Sequence, residues 1–247
     1  MNRSNRGFGL IEVLIALALS LIVVLGVAQV FIAAKNTYVS QNAAAAMQED
    51  ARFVLSKMIQ EIRMVGMFGC LGTVNDAVSG GIFTAGQTPI VWDEPNKKLT
   101  LLTADVGTKG GTPTWTVVSE CGTSSGSGAS AGIAYVVAPP LSAGQIAFPI
   151  RRLIYSYNVN NSQLLMGVGT GTPVQQVLVN NVSAFDVSFG VIGSNGTLGY
   201  NSAPSDMKSV RSVRLILTLK DPNNRVRNQT YTVVAAVRNL LLSAEGR

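Results

Sequence analysis

Three features of the chain predict an α+β fold. An uncharged apolar run, Val13 to Ala34, lies close to its start. The run continues from Lys35 to Val65, without proline or glycine, into a stretch whose apolar residues recur every three or four positions. The C-terminal part consists of β-branched, alternating segments divided by turn sequences. A long helix, half bare and half docked on an antiparallel sheet, satisfies all three.

The stretch from Arg6 to Ala34, RGFGLIEVLIALALSLIVVLGVAQVFIAA, carries a single charge after Arg6, the carboxylate of Glu12. At about 1.5 Å per residue, some twenty helical residues cross a bilayer core of about 30 Å, so the run is long enough to span. A cleaved secretory signal would need a shorter apolar stretch followed by a small-x-small site. Here Ala16 and Ala18 lie inside the run instead. A plain signal anchor would keep Arg3 and Arg6 on the cytoplasmic side. It leaves Glu12 unexplained, because a lone carboxylate there costs roughly 2 to 3 kcal/mol in lipid.

The helix is expected to continue past the membrane. Met47, Ala51, Val54, Leu55, Met58, Ile62 and Val65 form one apolar stripe, the pattern of a helix packed on its own domain. Glu49, Asp50, Arg52, Lys57, Glu61 and Arg63 are assigned to the other faces, with Lys57 and Glu61 one turn apart. A helix from about Leu10 to Val65 would be some 80 Å long. It should end near Gly66, since glycine is favoured just past a helix terminus.

Residues 73–150 read as irregular, with strand candidates only at Thr114–Val118 and Ile133–Ala138. TKGGTPT (108–114) and GTSSGSGASAG (122–132) look like long surface loops. Neither has the Gly-x-x-x-x-Gly-Lys-Ser/Thr spacing of a phosphate-binding loop. Further on, strands are predicted at Arg151–Asn158, Gln163–Met166, Val174–Val179, Ala184–Val191, Ser209–Leu219 and Val226–Val237. The clearest hairpin turns at DPNNR, with Val213, Leu215, Leu217 and Leu219 on one face.

Composition narrows the chemistry. The chain of 247 residues has no histidine, which removes His-based acid/base catalysis, Ser-His-Asp and Cys-His arrangements and the usual catalytic zinc sites. Asp186, Asp206, Asp221 and Glu245 are scattered and match no calcium loop. No catalytic, cofactor or metal residue is assigned. The net charge of +6 falls to +4 on side chains if residues 1–7, with Arg3 and Arg6, are lost; that is weak grounds for a nucleic-acid partner. Arg211, Arg214, Arg225, Arg227 and Arg238 line either a strip able to hold DNA or, more ordinarily, a sheet edge protected by charge. Trp92 and Trp115 read as core or loop anchors. Cys70 and Cys121 form an even number in an apparently exported chain, so a disulfide is the simplest reading; two buried thiols are the other.

The residues RGFGLIEVLIALALSLIVV resemble the N-terminus of a type IV prepilin: a basic leader ending in Gly7, then Phe8, Glu12 and the apolar helix. The resemblance implies that a prepilin peptidase cuts between Gly7 and Phe8 and methylates the new amino terminus of Phe8. It makes Glu12 the fifth residue of the mature chain, paired during assembly with a neighbour's N-terminal ammonium. Gly9 departs from the threonine of many pilins. Ala51 to Cys70, ARFVLSKMIQEIRMVGMFGC, together with FDVSFG at 185–190 and AAVRNLLL at 235–242, is similar to PilW-type minor pilins.

The resemblance therefore implies a pilin-like α+β fold in four parts. Residues 1–7 are a leader, 8–34 the transmembrane and assembly half of the helix, and 35–66 its amphipathic half. Residues 67–247 are a β-rich head with long Gly/Ser loops within 73–150. It implies a non-enzymatic minor pilin that primes assembly and sits in a tip complex. Its partners would be other minor pilins, the major pilin and a tip adhesin, and it would be held in the inner membrane beforehand with its head in the periplasm. A J-type pseudopilin of type II secretion shares these features. A membrane-anchored periplasmic binding or enzymatic domain is the contrasting class.

Overall fold

The computed structural model describes residues 9–69, 74–76, 83, 89–105, 113–120, 132–192, 196–205, 209–237 and 239. Gly7, Phe8, Cys70 and Cys121, and most of the two glycine-rich loops, lie outside the described residues.

One helix, α1, runs unbroken over Leu10–Arg63, 54 residues. Its apolar half is bare, and its second half buries Met47, Ala51, Val54, Leu55, Met58 and Ile62, the stripe expected from the spacing. Glu61, assigned to a face other than the stripe, is nonetheless buried, with Lys57 Nζ one turn away at 3.6 Å. The helix stops as the sequence suggests. Met64 caps it, Val65 bridges to Thr103, and Gly66 takes φ +75°, the left-handed conformation glycine adopts without strain.

The end of α1 is closed by a residue from the far end of the chain. Asn239 Nδ2 donates to the carbonyl oxygens of Arg63 (3.3 Å) and Val65 (3.1 Å). Carbonyls at a helix end have no intrahelical partner, so the amide satisfies groups that would otherwise need water. Asn239→Ala is expected to lower the stability of the head by about 1 kcal/mol, read as a shift in denaturant midpoint without a change in slope.

Two sheets form the head. The larger contains β1 (Val74–Asp76), β2 (Ile90–Asp93), β3 (Lys98–Ala104), β4 (Trp115–Glu120), β5 (Gly132–Tyr135), β6 (Gln145–Asn158), β7 (Gln163–Val168) and β8 (Gln175–Val179). Their order is β1-β5-β4-β6-β3-β2, with β7 and then β8 added on β6. The smaller sheet contains β9 (Val182–Ile192), β10 (Leu198–Asn201), β11 (Val210–Leu219) and β12 (Gln229–Ala236), in the order β10-β9-β11-β12.

Three sequence expectations are corrected. The region 73–150 is not merely irregular: it contains β1 to β5 and the start of β6. The hairpin β2–β3 closes over Glu94–Lys97, where Asp93 accepts from Asn96 N and Asn96 Nδ2 and Lys97 takes φ +47°. The α+β architecture of a long helix on a largely antiparallel head is as expected, but the head divides into two sheets rather than one, and β1 pairs β5 in parallel. The long connection between β1 and β5 permits that direction, which a tight turn forbids. The third concerns β12, which begins at Gln229 rather than Val226 because the turn before it is held from within.

That turn depends on Asp221. Its carboxylate accepts from Asn223 N, from Arg225 N (2.7 Å) and from the Arg225 side chain through Nε (2.9 Å) and Nη2 (2.8 Å). The Arg225 guanidinium, ahead of the backbone donors, holds the Asp221 carboxyl well below its ordinary value of 3.8. A carboxyl depressed on folding stabilises the fold above its unfolded value, and that contribution is lost as pH falls toward the folded one. The melting temperature should therefore drop as pH is lowered below about 4, and the drop should be shallower in Asp221→Asn.

The core has two parts. The first joins the stripe of α1 to Leu99, Leu101, Leu153 and Tyr155 of the larger sheet and to Phe185, Val213, Leu215 and Leu217 of the smaller. The second lies on the opposite face of the larger sheet, where Phe83, Leu102, Trp115, Val117, Ala134 and Ile150 meet. Trp115 is thus a core residue. Trp92 is half-buried, edge-on to Phe185 and bonded through Nε1 to Glu94.

Candidate functional site: the bare N-terminal half of the helix

Helix formation fixes where Glu12 goes. Gly9 is the N-cap in extended backbone (φ −73°, ψ 145°), which makes Glu12 the third residue of the first turn. Glu12 N donates to Gly9 O at 3.0 Å, and Glu12 Oε2 accepts from Gly9 N at 3.1 Å. This is the carboxylate half of a capping box, at the end of the helix where the macrodipole favours negative charge. Glu12 is therefore folded back onto Gly9, the first of the described residues.

Around Glu12 the helix offers only apolar surface. Leu10 is 80% exposed, Leu17 60%, Val23 64% and Val30 70%. A monomer in water rarely shows contiguous apolar surface on this scale. The helix is long and apolar enough to cross a membrane. Ser20 returns its hydroxyl to Leu17 O, so the one hydroxyl in this stretch is satisfied within the helix. Gly26 has nothing within 4 Å of where a Cβ would stand, which leaves a flat spot for close approach of another helix.

A carboxylate at the head of a bare apolar helix can do two things. It can hold an ammonium in a low-dielectric setting, and it can fix the axial register of one helix against another, because neither charge is tolerated there alone.

Residues 2–28 match the model of the prokaryotic N-terminal methylation motif. The N-terminus is of the prepilin type. This motif supports a type IV pilin-like or pseudopilin-like protein, processed by a prepilin peptidase and assembled with other pilins. Together with the apolar helix it fits membrane anchoring followed by incorporation into a pilus. No curated protein matches the chain. The motif match covers the leader and the first part of the bare helix and does not extend to the head.

The other candidate residues do not gather into one place. Asp186 pairs with Lys97 at 2.7 Å, and Asp221 with Arg225 at 2.8 Å; Asp206 and Glu245 lie outside the described residues. Of the arginine strip, Arg225 is tied to Asp221 in the turn, Arg214 stacks on Tyr200 within the smaller sheet, and Arg238 lies outside the described residues. Arg214 sits on β11, an inner strand, so the strip is not one charged sheet edge.

Sequence reasoning missed the polar groups buried where α1 meets the larger sheet. Thr103 Oγ1 donates to Glu61 O, and Arg151 pairs with Asp105 at 3.2 Å. Tyr155 is fully buried, and burial, assisted by the Glu61 charge, pushes its phenol up from the usual value. These residues come from three separate segments, α1, the end of β3 and β6, so no local motif marks them.

Proposed function

We propose that the chain is a minor pilin of a type IV pilus, of the PilW type, and that its role is structural rather than enzymatic. The observation that carries this reading is the continuous helix with Glu12 in its first turn, bare over its apolar half and docked on the head over the rest. The PilW-like segment Ala51–Cys70 supports the subtype. It supplies Ala51, Val54, Leu55, Met58 and Ile62 to the head's core while leaving Phe53 61% exposed.

In this scheme the prepilin inserts with its leader in the cytoplasm and its head in the periplasm. The peptidase cuts between Gly7 and Phe8 and methylates Phe8. The carboxylate of Glu12 then exchanges its local bond to Gly9 N for the terminal ammonium of a neighbour. Packing of the bare helices draws the subunit out of lipid into the fibre. With other minor pilins it primes assembly ahead of the major pilin and remains in the tip complex, beneath an adhesin. A disulfide between Cys70 and Cys121, both outside the described residues, would close a loop of about fifty residues and be worth on the order of 4 kcal/mol in the chain-entropy model.

Deleting the gene and restoring it with a tagged copy tests this. The expected result is loss of surface fibres on deletion and recovery of the tagged chain, at a small fraction of the major subunit, in the sheared fibre fraction. Intact fibres with a block in release of periplasmic proteins would instead identify a J-type pseudopilin of type II secretion.

A further inference from the structure

We infer that the outer face of the smaller sheet, at Arg214, is a docking site for a protein partner that presents a carboxylate beside an aliphatic side chain. The strand registers place Ser188 of β9 and Val234 of β12 directly opposite Arg214 of β11, on the same face. Tyr200 of β10 lies over this row, its ring centroid 4.1 Å from the guanidinium carbon of Arg214. Arg214 Nε donates to Ser188 Oγ at 2.9 Å. The guanidinium is thus clamped in one orientation by a stacked ring and a single hydrogen bond, both neutral.

This clamp distinguishes Arg214 from six other cations among the described residues of the head. Lys97, Lys98, Arg151 and Arg225 are each held by a carboxylate. Arg152 and Lys220 bond neutral oxygens, of Gly169 and Ser162, without a ring stacked on them. Among the described residues Arg214 has no carboxylate partner, although its fork is already immobilised. A planar guanidinium held this way loses little entropy when it takes a carboxylate in bidentate fashion.

The backbone has been shaped to allow the clamp. A Cβ on Gly190 would fall 2.3 Å from Ser212 Oγ and 3.3 Å from the Tyr200 ring, so the ring could not close over this part of the sheet if any other residue stood there. Next to the charge, Val234 is 50% exposed on β12, an outermost strand whose sequence QTYTVVAA contains no charge. Tyrosine and arginine are among the residue types that dominate binding energy at protein interfaces, and the exposed Val234 beside them adds apolar surface to the row. A nucleic acid fits less well. Asp186 occupies the same outer face and Arg225 is neutralised by Asp221, so no continuous basic track follows from Arg214.

The test places a photo-reactive benzoylphenylalanine at position 234 of the full chain, in cells that assemble it, and maps the cross-linked peptide by mass spectrometry. One dominant protein partner is expected, with an Asp or Glu in the linked segment; a peptide from a second copy of this chain would identify the partner as itself. Arg214→Glu should lower the yield tenfold or more, and Arg214→Lys severalfold. Changing the mapped carboxylate to lysine should restore the yield in Arg214→Glu. Arg214→Gln, with an unchanged melting temperature, separates loss of docking from loss of fold. A linked segment without a carboxylate, cross-linking to nucleic acid, no dominant product, or a yield indifferent to Arg214→Glu and Arg214→Gln would overturn the inference.

Discussion

Replacing Glu12 by alanine is expected to leave processing intact and to remove the chain from assembled fibres. In the proposed scheme the peptidase acts between Gly7 and Phe8, ahead of α1, and the first turn of α1 lacks only one bond in the variant, from Gly9 N to Glu12 Oε2. Assembly is different. If Glu12 meets a neighbour's terminal ammonium among packed apolar helices, its loss leaves that ammonium buried and alone, a penalty of about 3 to 5 kcal/mol. Incorporation should then fall by on the order of 10²- to 10³-fold at equilibrium. The measurement is the ratio of mature chain in the sheared fibre fraction to mature chain in the membrane, for wild type and Glu12→Ala. Glu12→Asp keeps the charge but shortens the reach, and should recover part of the loss. Equal ratios in all three would mean that the carboxylate serves only as a helix cap.

The second large effect is predicted where the helix docks on its head. Met58 is fully buried in the middle of the stripe, whereas Phe53, more than a turn away on the opposite side of α1, is 61% exposed. Truncating a buried methionine removes its transfer free energy and leaves a cavity, so Met58→Ala should cost about 2 to 5 kcal/mol. At about 2 to 4 °C per kcal/mol for a domain of this size, the melting temperature in detergent should fall by roughly 10 °C. Phe53→Ala should stay within about 0.5 kcal/mol of wild type, because no core contact is lost. A similar loss from both would show that the helix does not dock through this stripe. The pair also separates two roles of one helix: Met58 acts on the fold, and a defect of Phe53→Ala confined to assembly would place that ring at a subunit contact.

The helix was legible because two independent patterns marked it. An uncharged run of membrane length and a stripe at steps of three and four require nothing from the rest of the chain, and they gave the end at Gly66 to within about a turn. Glu12 stood out as one carboxylate against an apolar background. The hairpin β11–β12 was legible through its alternation, with Leu215 and Leu217 buried and Thr218 and Thr230 facing out.

What failed to show had physical reasons as well. β3 is packed on both faces, Leu101 toward α1 and Leu102 toward Trp115, so its second half loses the alternation of a half-buried strand. β1 and β2 have 3 and 4 residues, too few for a period to be seen. The division into two sheets depends on pairings between distant segments, as does the closure of α1 by Asn239, 174 residues from Val65. The clamp on Arg214 joins three strands through Tyr200 and Ser188 and was visible in the sequence only as one arginine among several.

The mass of the N-terminal peptide, from cells with and without an active prepilin peptidase, tests the central claim most directly. The account predicts a mature chain beginning at N-methylated Phe8 when the peptidase is present, and an intact leader when it is absent. A chain that keeps its leader in both strains, or is cut elsewhere in both, would contradict it.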